Sequence, residues 1–323
     1  MSFVLDIKEK VINGYNITKE EALKLYNSPL DELTESANEI RKYFCGNKFD
    51  ICTIINAKSG KCSEDCKYCA QSAFYNTNID EYPILEKEKI LKDAKNNDEN
   101  GILRYSLVTS GRCLTDSEIE NVCDIVREIK NNTNIQVCVS LGLLKEEQFK
   151  KLKEAGVSRI HNNIETSRQY FNSVCTTHTF DDKLETIKAA QRAGLTVCSG
   201  GIMGIGESIS DRIDMAFTLR DIGINSVPIN MLNPIPGTPY ENLKPLTIND
   251  MKRIVAVYRF ILPKASIRLA GGRGLMKDSG KECFTSGANA AISGNMLTTS
   301  GITIETDLKL LEELGYKKEL CNG

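Results

Sequence analysis

The sequence of 323 residues contains no tryptophan and only two histidines, His161 and His178. It has no apolar run near the ~20 residues that a membrane-spanning helix needs, and its start, MSFVLDIKEK, lacks the basic and apolar regions of a signal peptide. These absences predict a cytoplasmic protein without a membrane segment. The formal net charge of -2 provides no broad basic field, so nucleic acid is not an expected partner.

Cysteine, in contrast, is abundant, with twelve residues. In a small secreted chain this number would indicate disulfides, but in a large cytosolic chain cysteines more often bind metals or take part in catalysis. Because only two histidines are present, any metal chemistry has to depend mainly on sulfur.

Short β-rich runs alternate with amphipathic, helix-like segments from Ile51 onwards. The runs are ICTIINA, ILRYSLVT, IQVCVSLG, VSRIHNNI, LTVCSGGI, NSVPINML, ASIRLAGG and GANAAIS. Eight strand-helix units predict a parallel sheet that closes into a (βα)8 barrel of the α/β class. We expect a helical extension over residues 1–48 and the barrel, with a C-terminal cap segment, over 49–323. An open doubly wound sheet is the alternative, but it needs a glycine-rich first turn where NAKSGKCSEDC places cysteines.

Three cysteines, Cys62, Cys66 and Cys69, follow the first strand in the stretch CSEDCKYCAQS, with no fourth ligand at metal spacing. A structural zinc site has four protein ligands, so a zinc knuckle is the weaker interpretation, as are scattered core thiols. Cysteine thiolates on a short loop suit an iron-sulfur cluster. A four-iron cluster held by three thiolates keeps one iron free for a small molecule, and the loop lies where a barrel has its active site.

The C-x3-C-x2-C spacing, with Tyr68 before the last cysteine, resembles the signature of radical S-adenosylmethionine enzymes. Within that superfamily the chain resembles the biotin synthases from about Phe49 to Thr299. The motifs that carry this resemblance are CSEDCKYCAQS, CSGGIMGIGE, SVPINML, PGTP, IRLAGGR, CFTSGANA and LTT. It implies insertion of sulfur into dethiobiotin by radicals formed from S-adenosylmethionine at a 4Fe-4S cluster. It also implies a flavodoxin or ferredoxin as reductant and a homodimer.

The same resemblance implies the residues that contact the cofactor and the substrate. For S-adenosylmethionine they are Tyr68, Asn163, Glu165, Lys183, Gly200 and Gly201. For the ureido ring of dethiobiotin they are Asn163, Asn230 and His161, since an amide offers both a donor and an acceptor to a cyclic urea. His161 stands where relatives commonly have asparagine, so a histidine that serves only the strand is the alternative. His178 is expected to be structural.

Familiar biotin synthases hold a second, 2Fe-2S cluster by three cysteines and an arginine, and this sequence departs from that set. Arg268, Cys138 and Cys198 match, but Ser106 replaces the third cysteine. Alternate residues of a barrel strand face the lumen, and this alternation directs Cys138, Cys198 and Arg268 inward. On the first strand, it also directs Cys52 inward.

We therefore expect Cys52, Cys138 and Cys198 to bind an auxiliary iron-sulfur cluster beside Arg268. Three thiolates suit a four-iron cluster with an extra sulfide as the transferable sulfur, and a 2Fe-2S cluster is the alternative. Cys113 could replace Cys52 as third ligand, or Cys52 could pack as a small apolar residue. The remaining cysteines, Cys45, Cys123, Cys175, Cys283 and Cys321, are assigned no metal role.

Two competing functions come from different classes. Another radical enzyme of the same subfamily, of the hydrogenase-maturation or methylornithine type, would lack the combined set of Cys138, Cys198 and Arg268. A non-catalytic iron-sulfur electron carrier would not need the Gly-Gly strand end or the polar lumen of Asn163, Glu165 and Asn230.

Overall fold

The computed structural model describes residues 1–321 and shows a closed barrel of parallel strands, which confirms the predicted fold class. The barrel strands are β1 (Lys48–Lys58), β2 (Arg104–Thr109), β3 (Gln136–Ser140), β4 (Val157–His161), β5 (Thr196–Cys198), β6 (Gly201–Met203), β7 (Ser226–Met231), β8 (Ser266–Leu269) and β9 (Ala290–Ser293). Each strand pairs in parallel with its neighbour, and β9 pairs with β1 to close the ring. The predicted fifth run, LTVCSGGI, forms two short strands, β5 and β6, and both pair with β7.

The helices form a layer outside the barrel. They are α1 (Phe3–Ile12), α2 (Lys19–Tyr26), α3 (Leu30–Cys45), α4 (Lys87–Glu99), α5 (Asp116–Asn132), α6 (Glu146–Ala155), α7 (Phe180–Arg192), α8 (Ile209–Asp221), α9 (Ile248–Ile261), α10 (Lys281–Phe284) and α11 (Ile304–Glu313). Capping boxes begin α5, α7, α8 and α9, with Thr115, Thr179, Ser208 and Thr247 as the capping residues. Each cap satisfies free backbone N–H groups and fixes where the helix starts after its loop.

The N-terminal helices lie against the barrel helices, with α3 packed on α9 and α2 packed on α8 and α9. This contact explains the amphipathic pattern of residues 1–48. The division into a 1–48 extension and a 49–323 barrel stays a prediction, and residues 322 and 323 lie outside the described part of the chain. None of the helices in residues 1–321 is both long and apolar enough to cross a bilayer.

The alternation of residues along the strands separates a helix-facing core from a lumen. Val137 and Val139 of β3 belong to the apolar core, whereas Cys138 between them faces the cavity inside the barrel. The inward direction predicted for Cys52, Cys198 and Arg268 is likewise seen, because all three line this cavity.

Segments after β9 cover both ends of the barrel. At the carboxyl end of the strands, Asn56 Nδ2 donates to Leu297 O at 3.1 Å, so the segment that contains the LTT motif lies over the cavity. At the opposite end, β10 (Lys317–Lys318) pairs with the start of β1, and the N–H of Cys321 lies 3.3 Å from Asp50 Oδ2. The lumen is therefore covered above and below by the C-terminal part of the chain.

Candidate active site

The barrel encloses a cavity of about 400 Å³ between the cysteine loop and the lumen thiols. Twelve of the fifteen predicted site residues line it: Cys52, Cys62, Tyr68, Cys69, Cys138, His161, Asn163, Glu165, Lys183, Cys198, Asn230 and Arg268. The other three are Cys66, Gly200 and Gly201, which do not line the cavity themselves but lie within two residues of lining residues in sequence. The structure thus brings together residues from six strands, two loops and the helix α7 around one space.

The cysteine loop is fixed by its own backbone hydrogen bonds. The N–H of Cys69 donates to Cys66 O at 3.0 Å, and the N–H of Cys62 donates to Gln71 O at 3.0 Å. Cys62 and Cys69 face the cavity. Burial raises the pKa of the Cys69 thiol to about 11, so this thiol stays protonated until a metal ion replaces the proton. The donor set and the preformed loop fit a four-iron cluster held by three thiolates.

A second loop, residues 174–178, holds the cysteine loop in place. The N–H of Lys67 donates to Val174 O at 3.0 Å. The Asp65 carboxylate accepts from the N–H groups of Thr176 at 2.8 Å and Thr177 at 3.2 Å. Burial acts to raise the pKa of Asp65, but the hydrogen bonds from Thr176 outweigh it and hold the pKa well below its usual range. Asp65 is therefore an anionic anchor between the two loops.

At the end of the fifth predicted run, LTVCSGGI, the backbone passes so close to neighbouring strands that only glycine fits. A Cβ at Gly200 would lie 1.9 Å from Pro228 O, and a Cβ at Gly201 would lie 2.2 Å from Glu165 O. The N–H of Gly200 donates to Asn163 Oδ1 at 3.0 Å. These residues form one unit at the carboxyl end of β4 and β5, where the sequence predicted S-adenosylmethionine to bind.

Two of the predicted cofactor residues interact through their side chains. The Tyr68 hydroxyl lies near the Glu165 carboxylate. Burial, and then the nearby Glu165 carboxylate, raise the pKa of Tyr68 well above its usual value. Tyr68 was predicted to act through its backbone, so this side-chain contact is an addition that the sequence motif did not indicate.

Asn230 connects neighbouring strand ends through its amide. Its Nδ2 donates to Gly201 O at 3.0 Å, and its Oδ1 accepts from the N–H of Gly271 at 2.9 Å. One N–H and one lone pair of the amide remain for a ligand.

His161 lies opposite Cys198 in the pairing of β4 with β5. Although burial acts to raise it, the pKa of the Cys198 thiol falls to about 6, because the nearby His161 side chain stabilises the thiolate. His161 is therefore at the level of the lumen thiols. Its predicted contact with substrate is thus joined by a contact with a predicted cluster ligand.

A group of buried charges lies beneath the lumen thiols. Asp50 is fully buried, and its carboxylate oxygens lie 3.0 Å from Arg104 Nε, 3.0 Å from Arg268 Nη2 and 3.9 Å from Arg159 Nη1. Three guanidinium groups thus face one carboxylate. Arg268 Nη1 also lies 3.2 Å from Cys52 Sγ. Burial raises the pKa of Cys52 to about 12 despite this charge, but the excess of positive charge fits an anionic cluster with thiolate ligands.

Two family profiles match different parts of the chain. The Radical SAM superfamily profile matches residues 57–219, and the profile of the Biotin and Thiamin Synthesis associated domain matches residues 228–317. A biotin synthase of Brachyspira hyodysenteriae is 64% identical over 98% of this chain and 95% of that protein. A biotin synthase of Akkermansia muciniphila is 55% identical over 98% of this chain and 99% of that protein. The chain belongs to the biotin synthase family.

Solved structures agree with the fold of this biotin synthase family member. A methylornithine synthase superposes with a TM-score of 0.84 over 97% of both chains, at 20% identity. A maturase of the [FeFe]-hydrogenase superposes with a TM-score of 0.83 over 99% of this chain and 76% of that chain, at 23% identity. At such low identity these similarities concern the fold alone.

The lumen of this family member contains the departure that the sequence indicated. Ser106 lines the cavity opposite Cys138 on the neighbouring strand, and Cys52 lines it from β1. Cys113 is exposed and is not among the residues that line the cavity. Within residues 1–321, the thiols that face the lower cavity are those of Cys52, Cys138 and Cys198.

Sequence reasoning missed two residues beside Cys66. One ligand atom from each of Cys66, Cys175 and His178 can be chosen so that the three atoms lie within 4.8 Å of one another. The spacing C-x2-H in CTTH was the available signal. No motif of the family requires this spacing, and only the docking of the two loops brings it to the cysteine loop.

Asp50→Asn should destabilise the fold of the cluster-free chain by about 3 to 5 kcal/mol, because it leaves three buried guanidinium groups without their shared carboxylate. Urea unfolding followed by circular dichroism measures this change. Asp181→Asn is the matched control, since Asp181 forms an exposed ion pair with Arg168 and should change stability by less than about 1 kcal/mol. Equal effects of the two substitutions would contradict the role of Asp50.

Proposed function

We propose that this biotin synthase family member inserts sulfur into dethiobiotin to form biotin, with S-adenosylmethionine as the radical source. The observation that carries the proposal is the cavity, which has a three-cysteine loop at one end, amide side chains along its wall and three thiols at the other end. When bound, the 4Fe-4S cluster supplies the electron that cleaves S-adenosylmethionine to a 5'-deoxyadenosyl radical. Such chemistry belongs to the cofactor, and the protein aligns the reactants and excludes water.

Cys62, Cys66 and Cys69 would hold the 4Fe-4S cluster. The residues proposed to hold S-adenosylmethionine are Tyr68, Asn163, Glu165, Lys183, Gly200 and Gly201. Their position supports this assignment, because the side chains line the cavity beside the cysteine loop and the two glycines allow close approach of a ligand to the backbone. The Lys183 ammonium suits the carboxylate of the methionyl group.

Asn163, Asn230 and His161 would bind the ureido ring of dethiobiotin. Asn163 and Asn230 each use an oxygen to accept a backbone N–H bond, so the side chains are already oriented before substrate binds. Amide groups that remain partly free can donate to and accept from a cyclic urea. Preorganised donors and acceptors lower the cost of ordering the site when the ligand binds.

The sulfur donor is proposed to be a four-iron auxiliary cluster with an extra sulfide, held by Cys52, Cys138 and Cys198. Two features of the lumen support this form over a 2Fe-2S cluster: Ser106 occupies the position of the missing cysteine, and Cys52 lies on the adjacent strand. Arg268 cannot easily act as the fourth ligand, since guanidinium stays protonated, but its charge would stabilise an anionic sulfide.

We further propose a one-electron reductant of the flavodoxin or ferredoxin class, a homodimer and a cytoplasmic location. Exposed Phe74, which follows the cysteine loop, offers apolar area to a redox protein. A reducing compartment keeps the many free thiols available for cluster binding. Family resemblance supports the homodimer, which sedimentation analysis would measure.

Dethiobiotin labelled with deuterium at its reacting carbons should transfer deuterium to 5'-deoxyadenosine, and biotin should form under anaerobic, reducing conditions. Mass spectrometry of both products measures this. If deoxyadenosine forms without dependence on dethiobiotin and carries no deuterium, the proposal is wrong. A different substrate of the same radical subfamily then becomes the better hypothesis.

Asn230→Ala should weaken dethiobiotin binding by roughly 1 to 3 kcal/mol, because the substitution leaves a buried hydrogen-bonding group of the ureido ring unpaired. This corresponds to a rise in Kd of roughly 5- to 150-fold, measured by calorimetry on the cluster-loaded protein. Asn132→Ala is the control, because that amide bonds only within α5. An unchanged Kd in Asn230→Ala would remove Asn230 from the substrate site.

A further inference from the structure

Cys66, Cys175 and His178 form a compact set of metal-binding side chains where the cysteine loop meets the loop of residues 174–178. Their ligand atoms lie within 4.8 Å of one another. In a tetrahedral site with metal distances of about 2.0 to 2.3 Å, neighbouring ligand atoms lie about 3.4 to 3.8 Å apart. The three side chains therefore need to move by only about 1 Å to surround one ion.

Contacts outside the three residues hold this set in place. The Lys67 N–H bond to Val174 O joins the residues next to Cys66 and Cys175. Cys175 Sγ lies 3.1 Å from Asp65 Oδ1 and 3.2 Å from His178 Nδ1. A site that exists before the ion arrives loses little conformational entropy on binding.

His178 has the environment of a metal-ligating histidine. Its side chain is 4% exposed, and Nδ1 lies 2.5 Å from Glu64 Oε2. Its other nitrogen, Nε2, is buried and has no hydrogen-bond partner in the described part of the chain. The ring nitrogen that lies 3.2 Å from Cys175 Sγ is Nδ1, so Nδ1 is the nitrogen that would bind the ion, in place of its contact with Glu64.

We propose that, in the chain without its 4Fe-4S cluster, Cys66, Cys175 and His178 bind one divalent metal ion with the preferences of zinc or ferrous iron. Two thiolates and an imidazole are the soft and borderline ligands that such ions take in tetrahedral geometry. Asp65 Oδ1 lies 3.1 Å from Cys175 Sγ but is not among the ligand atoms that lie within 4.8 Å of one another, so the fourth position is open to a water molecule. The acidic side chains of Glu64 and Asp65 add attraction for a cation at this place.

The consequence is competition for Cys66. A thiolate bound to this ion is not available to the 4Fe-4S cluster, so the ion has to leave, or move, before the radical site assembles. An ion of this kind protects Cys66 from oxidation in the cluster-free chain and delays cluster assembly. This inference concerns the cluster-free chain and does not depend on the identity of the substrate.

Cobalt(II) is the probe, because tetrahedral cobalt with thiolate ligands gives charge-transfer and d–d absorption bands. The full-length chain, freed of clusters and kept anaerobic, should bind cobalt at this site with both bands. Cys175→Ser and His178→Gln should each weaken this binding by about ten-fold or more. To remove the separate contribution of the lumen thiols, every titration uses the Cys52→Ser, Cys138→Ser background.

Two controls distinguish this site from the cysteine loop alone. Cys62→Ser should keep the cobalt bands, since Cys62 faces the main cavity, and Cys113→Ser should also keep them because that thiol is exposed. Circular dichroism of each variant confirms that it is folded. If Cys175→Ser and His178→Gln bind cobalt as the parent does while Cys62→Ser loses the bands, the ion belongs to the cysteine loop and the proposal is overturned.

A second measurement follows the rate of cluster assembly instead of metal affinity. One equivalent of zinc, added to the cluster-free chain, should slow reconstitution of the 4Fe-4S absorption in the parent and leave it unchanged in Cys175→Ser. An equal delay in both proteins would overturn the proposal. Neither measurement uses turnover, so failure here is distinct from failure of the proposed sulfur insertion.

Discussion

Cys66→Ala should reduce formation of 5'-deoxyadenosine from S-adenosylmethionine to the detection limit while the barrel stays folded. With Cys66 removed, two thiolates of the loop remain, and a four-iron cluster that needs three is lost or misplaced. The backbone contact between Cys69 N–H and Cys66 O does not involve the deleted sulfur, so alanine preserves the loop. Anaerobic assays with a chemical reductant measure the product by chromatography, and circular dichroism measures the fold.

The neighbouring thiol of Cys175 makes a stricter version of this experiment necessary. Because Cys175 lies close to Cys66, it is the nearest thiol that could replace the missing ligand. The double variant Cys66→Ala, Cys175→Ser removes both, and Cys113→Ala is the control for loss of an exposed thiol. Parent-level deoxyadenosine formation in the double variant would show that the cysteine loop is not the radical site.

The barrel could be predicted because the signals for its strands and helices lie within short segments of the sequence. Strands and helices alternate along the chain with their own periods, and helices begin at caps such as Thr115 and Ser208 that are visible in the sequence. The break between β5 and β6 was not predictable in the same way. It arises where Gly200 lies close to Pro228 O and Gly201 pairs with Glu165, which are contacts between neighbouring strands that are far apart in sequence.

In the lumen, too, some features could be predicted from the sequence and others could not. Alternation along β1 and β3 was enough to direct Cys52 and Cys138 inward, because the period of a strand leaves only two faces. The sequence did not indicate that the Asp50 carboxylate would form ion pairs with Arg104 and Arg159 as well as with Arg268. That arrangement depends on strand register around the closed ring, which sets three arginines from separate strands at one level. The excess positive charge they create is a property of the fold.

Cys52→Ser should remove the auxiliary cluster while sparing cleavage of S-adenosylmethionine. Cys52 Sγ lies 3.2 Å from Arg268 Nη1 at the lower cavity, away from the cysteine loop. Serine is a poor replacement, because its oxygen is a harder ligand than a thiolate and its hydroxyl is far less acidic. After full reconstitution the parent should contain about eight irons per chain, four in each cluster, and the variant about four.

The same substitution decides between the two possible sulfur donors. A four-iron cluster depends on the third lumen thiolate, so its loss should abolish biotin formation even though deoxyadenosine still forms from S-adenosylmethionine. Cys113→Ser is the matched control, because Cys113 is the other candidate for third ligand, and it should keep about eight irons and full activity. About six irons in the parent, a 2Fe-2S spectrum and undiminished biotin formation in Cys52→Ser would contradict the four-iron hypothesis. Cys52 would then be a packed thiol beside Arg268, and the sulfur would have to come from a cluster held without it.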